Sequence, residues 1–131
     1  LSPGINDPYT AISCIDNLTS AMCHLSGVKF PSRYRYDKDG NLRLIARSLT
    51  YEGVLDAAFN QIRQFGKAIP AVSVRLMEAL IVIYRFSKTV EQKRGIKKHA
   101  RMVLYIAEKM FDEPNDLKDL KERSSEILKD K

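Results

Sequence analysis

Between Ala71 and Lys88 the chain AVSVRLMEALIVIYRFSK sets apolar residues on most sides of a helix: Val72, Leu76, Met77, Leu80, Ile81, Ile83 and Tyr84. A helix that offers water no polar face is a buried one. Its solid apolar run is far short of a bilayer span, and Glu78 and Arg85 bracket it. The pattern therefore predicts the central helix of a bundle. Around it, apolar residues recur at helical spacing in three other stretches. Ile12, Ile15, Leu18, Met22 and Leu25 form a first stripe, opened by Asp7-Pro8 and closed by Ser26-Gly27. Asp is a good cap, Pro suits the first helical position, and Gly suits a left-handed stop. Val54, Leu55, Ala58, Phe59, Ile62 and Phe65 form a second, ended by Gly66 and Pro70. After Thr89, Ile96, Ala100, Val103, Leu104, Ala107, Met110 and Phe111 form a fourth. Glu113-Pro114-Asn115 breaks that helix, and Asp116 is placed to cap a short, thinly apolar one through Leu117, Leu120, Ile127 and Leu128.

One stretch changes period. Arg33-Tyr34-Arg35-Tyr36 and Leu42-Arg43-Leu44 alternate around Asp37–Asn41, which predicts a β-hairpin with a glycine-containing loop. Tyr36 opposite Leu42 and Tyr34 opposite Leu44 would make one apolar face, and Arg35 opposite Arg43 one cationic face. An isolated hairpin is marginal, so the Tyr/Leu face is expected to dock on the helices. The expected architecture is mainly α: four main helices, a short fifth, and one hairpin between helices one and two. A single domain spans residues 1–131, with 112–131 as a peripheral tail.

Composition narrows the partners more than the chemistry. The 131 residues carry 44% hydrophobic and 29% charged side chains, an ordinary folded balance, and should bury roughly two-thirds of the unfolded surface. A net charge of +6 favours anionic partners: nucleic acid, acidic protein or a lipid surface. Cys14 and Cys23, nine residues apart on one helix, would sit about 13 Å apart, too far to bridge, so free thiols and a reducing compartment are expected. Cys23 and His24 point about 100° apart on that helix, and Cys14 and His99 would have to converge from elsewhere. No metal-ligand spacing is present and no cofactor is expected.

Four groups of residues remain as candidates. A glycine turn before a helix N-terminus is phosphate-binding geometry, but Asp7 brings its own carboxylate to that end, and Ser2, Asn6 and Asp7 have no histidine near them in sequence. Asp56, Asn60 and Arg63 share a polar strip on helix two, flanked by Gln61 and Gln64; Asp56 lies too far along the axis to pair with Arg63, and a partly buried Arg63 would need fixed acceptors. Arg33, Arg35 and Arg43 crowd the hairpin. Lys93, Arg94, Lys97, Lys98 and Arg101 gather at the start of helix four, where cations oppose the helix dipole and local stability does not explain them.

Leu1–Ala11, LSPGINDPYTA, resembles the signature of an uncharacterised family of predicted bacterial membrane proteins. Asp39–Arg43 and Ala58–Gln64 fall where that family has a DG-x-LR turn and an AF-x-QIRQ helix. The resemblance runs to about Leu80; Tyr9 stands where phenylalanine is common. It implies a domain tethered by an upstream transmembrane region and facing the cytoplasm at the inner membrane, cut here from its anchor. No activity is established for the family, so no catalytic residue is carried over. The leading expectation is a non-enzymatic interaction or scaffold domain with an anionic lipid or protein partner. The alternatives are a nucleic-acid module using the basic patches and, third, an enzyme with a site near Asn6, Asp7 and Arg63.

Overall fold

The computed structural model describes residues 7–30, 34–45 and 49–129. The Leu1–Asn6 part of the signature, including Asn6, and Arg33 lie outside the described residues. The elements run α1 (Pro8–Leu25), β1 (Tyr34–Tyr36), β2 (Leu42–Ile45), α2 (Tyr51–Phe65), α3 (Pro70–Phe86), α4 (Val90–Met110) and α5 (Pro114–Leu128). The fold is mainly α, five helices with one hairpin between the first two.

The apolar run at the middle of the sequence forms α3, which touches all four other helices. Val72, Leu76, Met77, Leu80 and Ile83 are almost completely withdrawn from solvent. Ile15 and Met22 of α1, Leu55 and Phe59 of α2, Ile96 and Ala100 of α4, and Leu120 and Ile127 of α5 complete one continuous core. Fully burying each such large side chain contributes about 1.5–3 kcal/mol. No helix among the described residues is long and apolar enough to cross a membrane.

The ends of the helices follow local chemistry. Asp7 caps α1, accepting from the Tyr9 amide at 3.0 Å. Thr50 and Thr89 cap α2 and α4 through their hydroxyls. At α5 the structure corrects the expectation: Glu113 accepts from the Asn115 amide and Pro114 takes the first helical position, so Asp116 lies inside the first turn. The left-handed stop expected at Gly27 is also absent, since Gly40 in the hairpin loop is the one positive-φ glycine among the described residues, at φ 82°. Instead α1 ends in tight turns, with Gly27 N–H donating to the His24 carbonyl and Val28 N–H to that of Leu25. Gly66 serves close approach rather than φ: a Cβ there would lie 2.3 Å from Val72 Cγ1, so glycine lets α2 turn directly against α3.

A buried polar node holds three helix ends together. Ser26 Oγ donates to the Met22 carbonyl and lies 3.2 Å from Tyr51 Oη. The Ser26 carbonyl accepts from Gln92 Nε2 at 3.1 Å, while Gln92 Oε1 accepts from the Lys88 amide. The end of α1 and the starts of α2 and α4 are therefore cross-linked through satisfied groups, the condition under which buried polar atoms stabilise.

The hairpin departs from expectation in register and in environment. Tyr36 pairs with Leu42 as expected, but Arg35 faces Leu44 and Tyr34 faces Ile45, the register shifting between Arg35 and Tyr36. Arg43 is the extra residue on β2, so Arg35 does not oppose it. Its guanidinium Nε instead reaches Asp37 Oδ2 at 2.8 Å, relieving the cross-strand repulsion a regular ladder would impose. Among the described residues Tyr36 and Leu44 of the apolar face do not dock on the helices and are 61% and 57% exposed.

Candidate functional site

Two polar surfaces meet along α4. The first is internal, between α2 and α4. Asp56 follows Leu55 on the core-facing side of α2, and His99 sits between Ile96 and Ala100 on that of α4. Packing those helices through Leu55, Phe59, Ile96 and Ala100 forces the two polar side chains together: His99 Nε2 lies 2.6 Å from Asp56 Oδ1, with His99 only 1% exposed. Burial pushes the imidazole below its usual pKa, and the Asp56 carboxylate opposes this only in part. Lys98, one residue earlier on α4, donates to Glu52 Oε2 at 2.7 Å and lies 3.8 Å from Asp56 Oδ1. Both helices therefore contribute opposite charges to one contact strip.

Arg63 ends this strip. Its Nη1 donates to Asn60 Oδ1 at 2.7 Å, three residues back on α2. Its Nε is buried and finds no acceptor among the described residues. Desolvation lowers the guanidinium pKa, with the more distant Asp56 charge acting against it. No carboxylate lies within ion-pair reach of Arg63 among the described residues. The sequence singled out Asp56, Asn60 and Arg63 and the lack of direct pairing between the first and last; the structure agrees. It did not join Asp56 to His99. The available signal was each residue's place inside an apolar stripe, at Leu55–Phe59 and at Ile96–Val103. Gln61 and Gln64 face solvent.

The second surface is external. Lys93, Arg94, Lys97 and Arg101, with Val90, line one shallow depression of about 270 Å³ on the outer side of α4. The residue spacing of three and four makes this a single stripe. Lys93 donates to Ser87 Oγ at 2.9 Å, and its ammonium lies 4.7 Å from the centre of the Tyr84 ring, with that of Lys97 at 5.8 Å. None of the four stripe cations makes an ion pair among the described residues. Lys98 turns away to Glu52 and leaves the cluster in which the sequence had placed it. Arg101 also borders a neighbouring depression with Arg63, Met102, Tyr105 and Ile106.

The other candidates do not join either surface. Asp7 is occupied with the Tyr9 amide and the Thr10 hydroxyl and shares no contact with Arg63. Arg35 and Arg43 stand on the hairpin, which no helix contacts among the described residues. Cys14 and Cys23 are free thiols on α1, half-buried against the core, and burial raises the pKa of Cys23.

Comparison with known proteins supplies a family and no reaction. An uncharacterised protein of Mycobacterium tuberculosis strain H37Rv, Rv1290c, is 26% identical over 116 residues, 88% of this chain and 22% of the relative. The uncharacterised protein Mb1321c of Mycobacterium bovis matches to the same extent. The chain thus spans less than a quarter of the length of these relatives. No solved structure matches it. The model of the family described as "Predicted membrane protein (DUF2254)" matches residues 1–81, well over half of the sequence, and the chain belongs to that family.

Proposed function

We propose that this is a non-enzymatic interaction domain of a membrane protein, and that it presents the outer face of α4 to an anionic surface, the cytoplasmic leaflet of the bacterial inner membrane. The observation that carries the reading is the stripe of Lys93, Arg94, Lys97 and Arg101, which shares one face and one depression without a carboxylate partner among the described residues. Some other surface cations are neutralised in cis: Arg75 forks onto Asp16 with two 2.8 Å bonds, and Arg85 forks onto Glu126; what sets the stripe apart is that its four cations share one face. Lys93, Arg94 and Lys97 lie in the first half of α4 and make no ion pair among the described residues, so their charges oppose the helix dipole, a cost that an anionic partner would offset. Family membership supports placing that partner in a membrane. Each cation beside such a surface contributes on the order of 1 kcal/mol, screened beyond about 8 Å at physiological salt.

Co-sedimentation with phosphatidylglycerol-containing and purely phosphatidylcholine vesicles tests this. The chain should bind the anionic vesicles weakly, release them as salt rises and ignore the neutral ones. An Arg94→Glu/Lys97→Glu/Arg101→Glu variant should remain folded, because these positions lie off the buried Ile96–Ala100–Val103 stripe, and should not bind. Tighter binding of DNA or RNA than of anionic vesicles at equal salt would replace the lipid with a nucleic acid. Binding of neither would leave the stripe as a solvated face.

A further inference from the structure

The depression beside the stripe has a different character. Arg63, Arg101, Met102, Tyr105 and Ile106 enclose an open volume of about 450 Å³. The guanidiniums stand on a mostly apolar wall, and no acidic side chain lines it. Arg63 is the unusual member: Nη1 is held by Asn60, Nε is sealed from water without an acceptor, and no carboxylate pairs with it among the described residues. A partly desolvated guanidinium with fixed orientation and an unmet charge is a preorganised receptor for a planar or tetrahedral oxyanion. The apolar wall at Met102, Tyr105 and Ile106 would cover a hydrocarbon segment attached to that anion.

We propose that this depression is a binding site for a single anionic amphiphile, one carboxylate or phosphate group carrying an alkyl chain, with Arg63 and Arg101 receiving the anion and Met102, Tyr105 and Ile106 the first methylenes. The identification of the amphiphile as a membrane lipid rests on the surface reading of α4 given above; the anion-plus-chain chemistry does not. The site differs from the stripe in kind. The stripe attracts any negative surface by summed charge, whereas Arg63 offers one guanidinium, held in place by Asn60, beside one apolar wall. Arg101 belongs to both, so a lipid drawn to the stripe lies next to the site.

Titration calorimetry with dodecyl phosphate below its micelle concentration, alongside dodecanoate, inorganic phosphate and dodecanol, tests the proposal. Either alkyl anion should saturate at one per chain, while inorganic phosphate and the uncharged alcohol bind at least about tenfold more weakly, as loss of a charge-assisted bond or of a buried chain segment requires. Arg63→Gln should weaken the alkyl anions by about tenfold or more, and Arg63→Lys should recover only part of that, because an ammonium cannot bond Asn60 and face the anion in the same fixed planar geometry. Tyr105→Ser, at a position 59% exposed and outside the core, should weaken alkyl anions without changing inorganic phosphate. An Arg94→Glu/Lys97→Glu variant separates the two readings: it should abolish vesicle association and leave soluble alkyl-anion binding nearly intact. Soluble binding that persists while wild type ignores vesicles identifies a site for a free alkyl anion and removes only the membrane lipid. Absence of saturable binding, or equal binding by wild type and by folded Arg63→Gln and Tyr105→Ser variants, overturns the site.

Discussion

His99 Nε2 and Asp56 Oδ1 lie 2.6 Å apart across the α2–α4 contact, and the imidazole is sealed from solvent. The pair is a polar rivet inside an apolar interface. Its acceptor is half-exposed and shared with Lys98, so the carboxylate keeps a route to water while the ring does not.

This asymmetry makes stability depend on pH. Burial depresses the folded-state pKa of His99, and Asp56 offsets that only partly. The unfolded chain, whose histidine keeps a pKa of about 6.5, takes up the proton first. Stability is therefore full above that value and falls as pH drops through it towards the lower folded pKa, because the unfolded state binds more protons. Urea denaturation between neutral and mildly acidic pH should show the wild-type midpoint falling, and His99→Gln falling less. Parallel curves for the two proteins would remove His99 as the cause.

Gly66 should resist enlargement. An added Cβ meets Val72 Cγ1 at 2.3 Å and Val72 Cβ at 2.8 Å, both in the core beneath the α2–α3 turn. Gly66→Ala should cost about 1–3 kcal/mol, the range for overpacking, despite the higher helix propensity of alanine. Pairing it with Val72→Ala should recover part of the loss, since the clash and the cavity compensate. Thermal melts of the double-mutant cycle measure this coupling, and strict additivity would contradict it.

Asp7 is a structural cap. Its carboxylate accepts from the Tyr9 amide and the Thr10 hydroxyl at the start of α1. Asp7→Ala should lower stability by about 1 kcal/mol, and Asp7→Asn by much less, because asparagine caps nearly as well. Equal losses for the two variants would point to the charge rather than the cap.

Periodicity in the sequence decided which segments are helical and which faces are buried, because a stripe of apolar residues at helical spacing leaves water only one way. It therefore determined α3 as the hub, most core positions on α1, α2 and α4, and the Asp7 cap, whose chemistry lies within three residues; Ile12 and Met110, which share the apolar stripes, lie outside the core, and Ala11 takes a core position the stripe did not mark. It also determined that Asp56 does not pair with Arg63, a matter of rise along one helix. What it did not contain is which stripes face one another. The His99–Asp56 pair, the Ser26–Tyr51–Gln92 node, the departure of Lys98 towards Glu52 and the meeting of Arg63 with Arg101 each join residues on different helices, and the packing of α2 against α4 and of α1 against their ends created them. The hairpin shows the same division. Alternation determined two strands, but one extra residue at Arg43, drawn to Asp37, shifted the register. Tyr36 and Leu44 stay exposed because no helix among the described residues covers them: an amphipathic pattern states a preference for burial, and only a neighbouring surface can satisfy it.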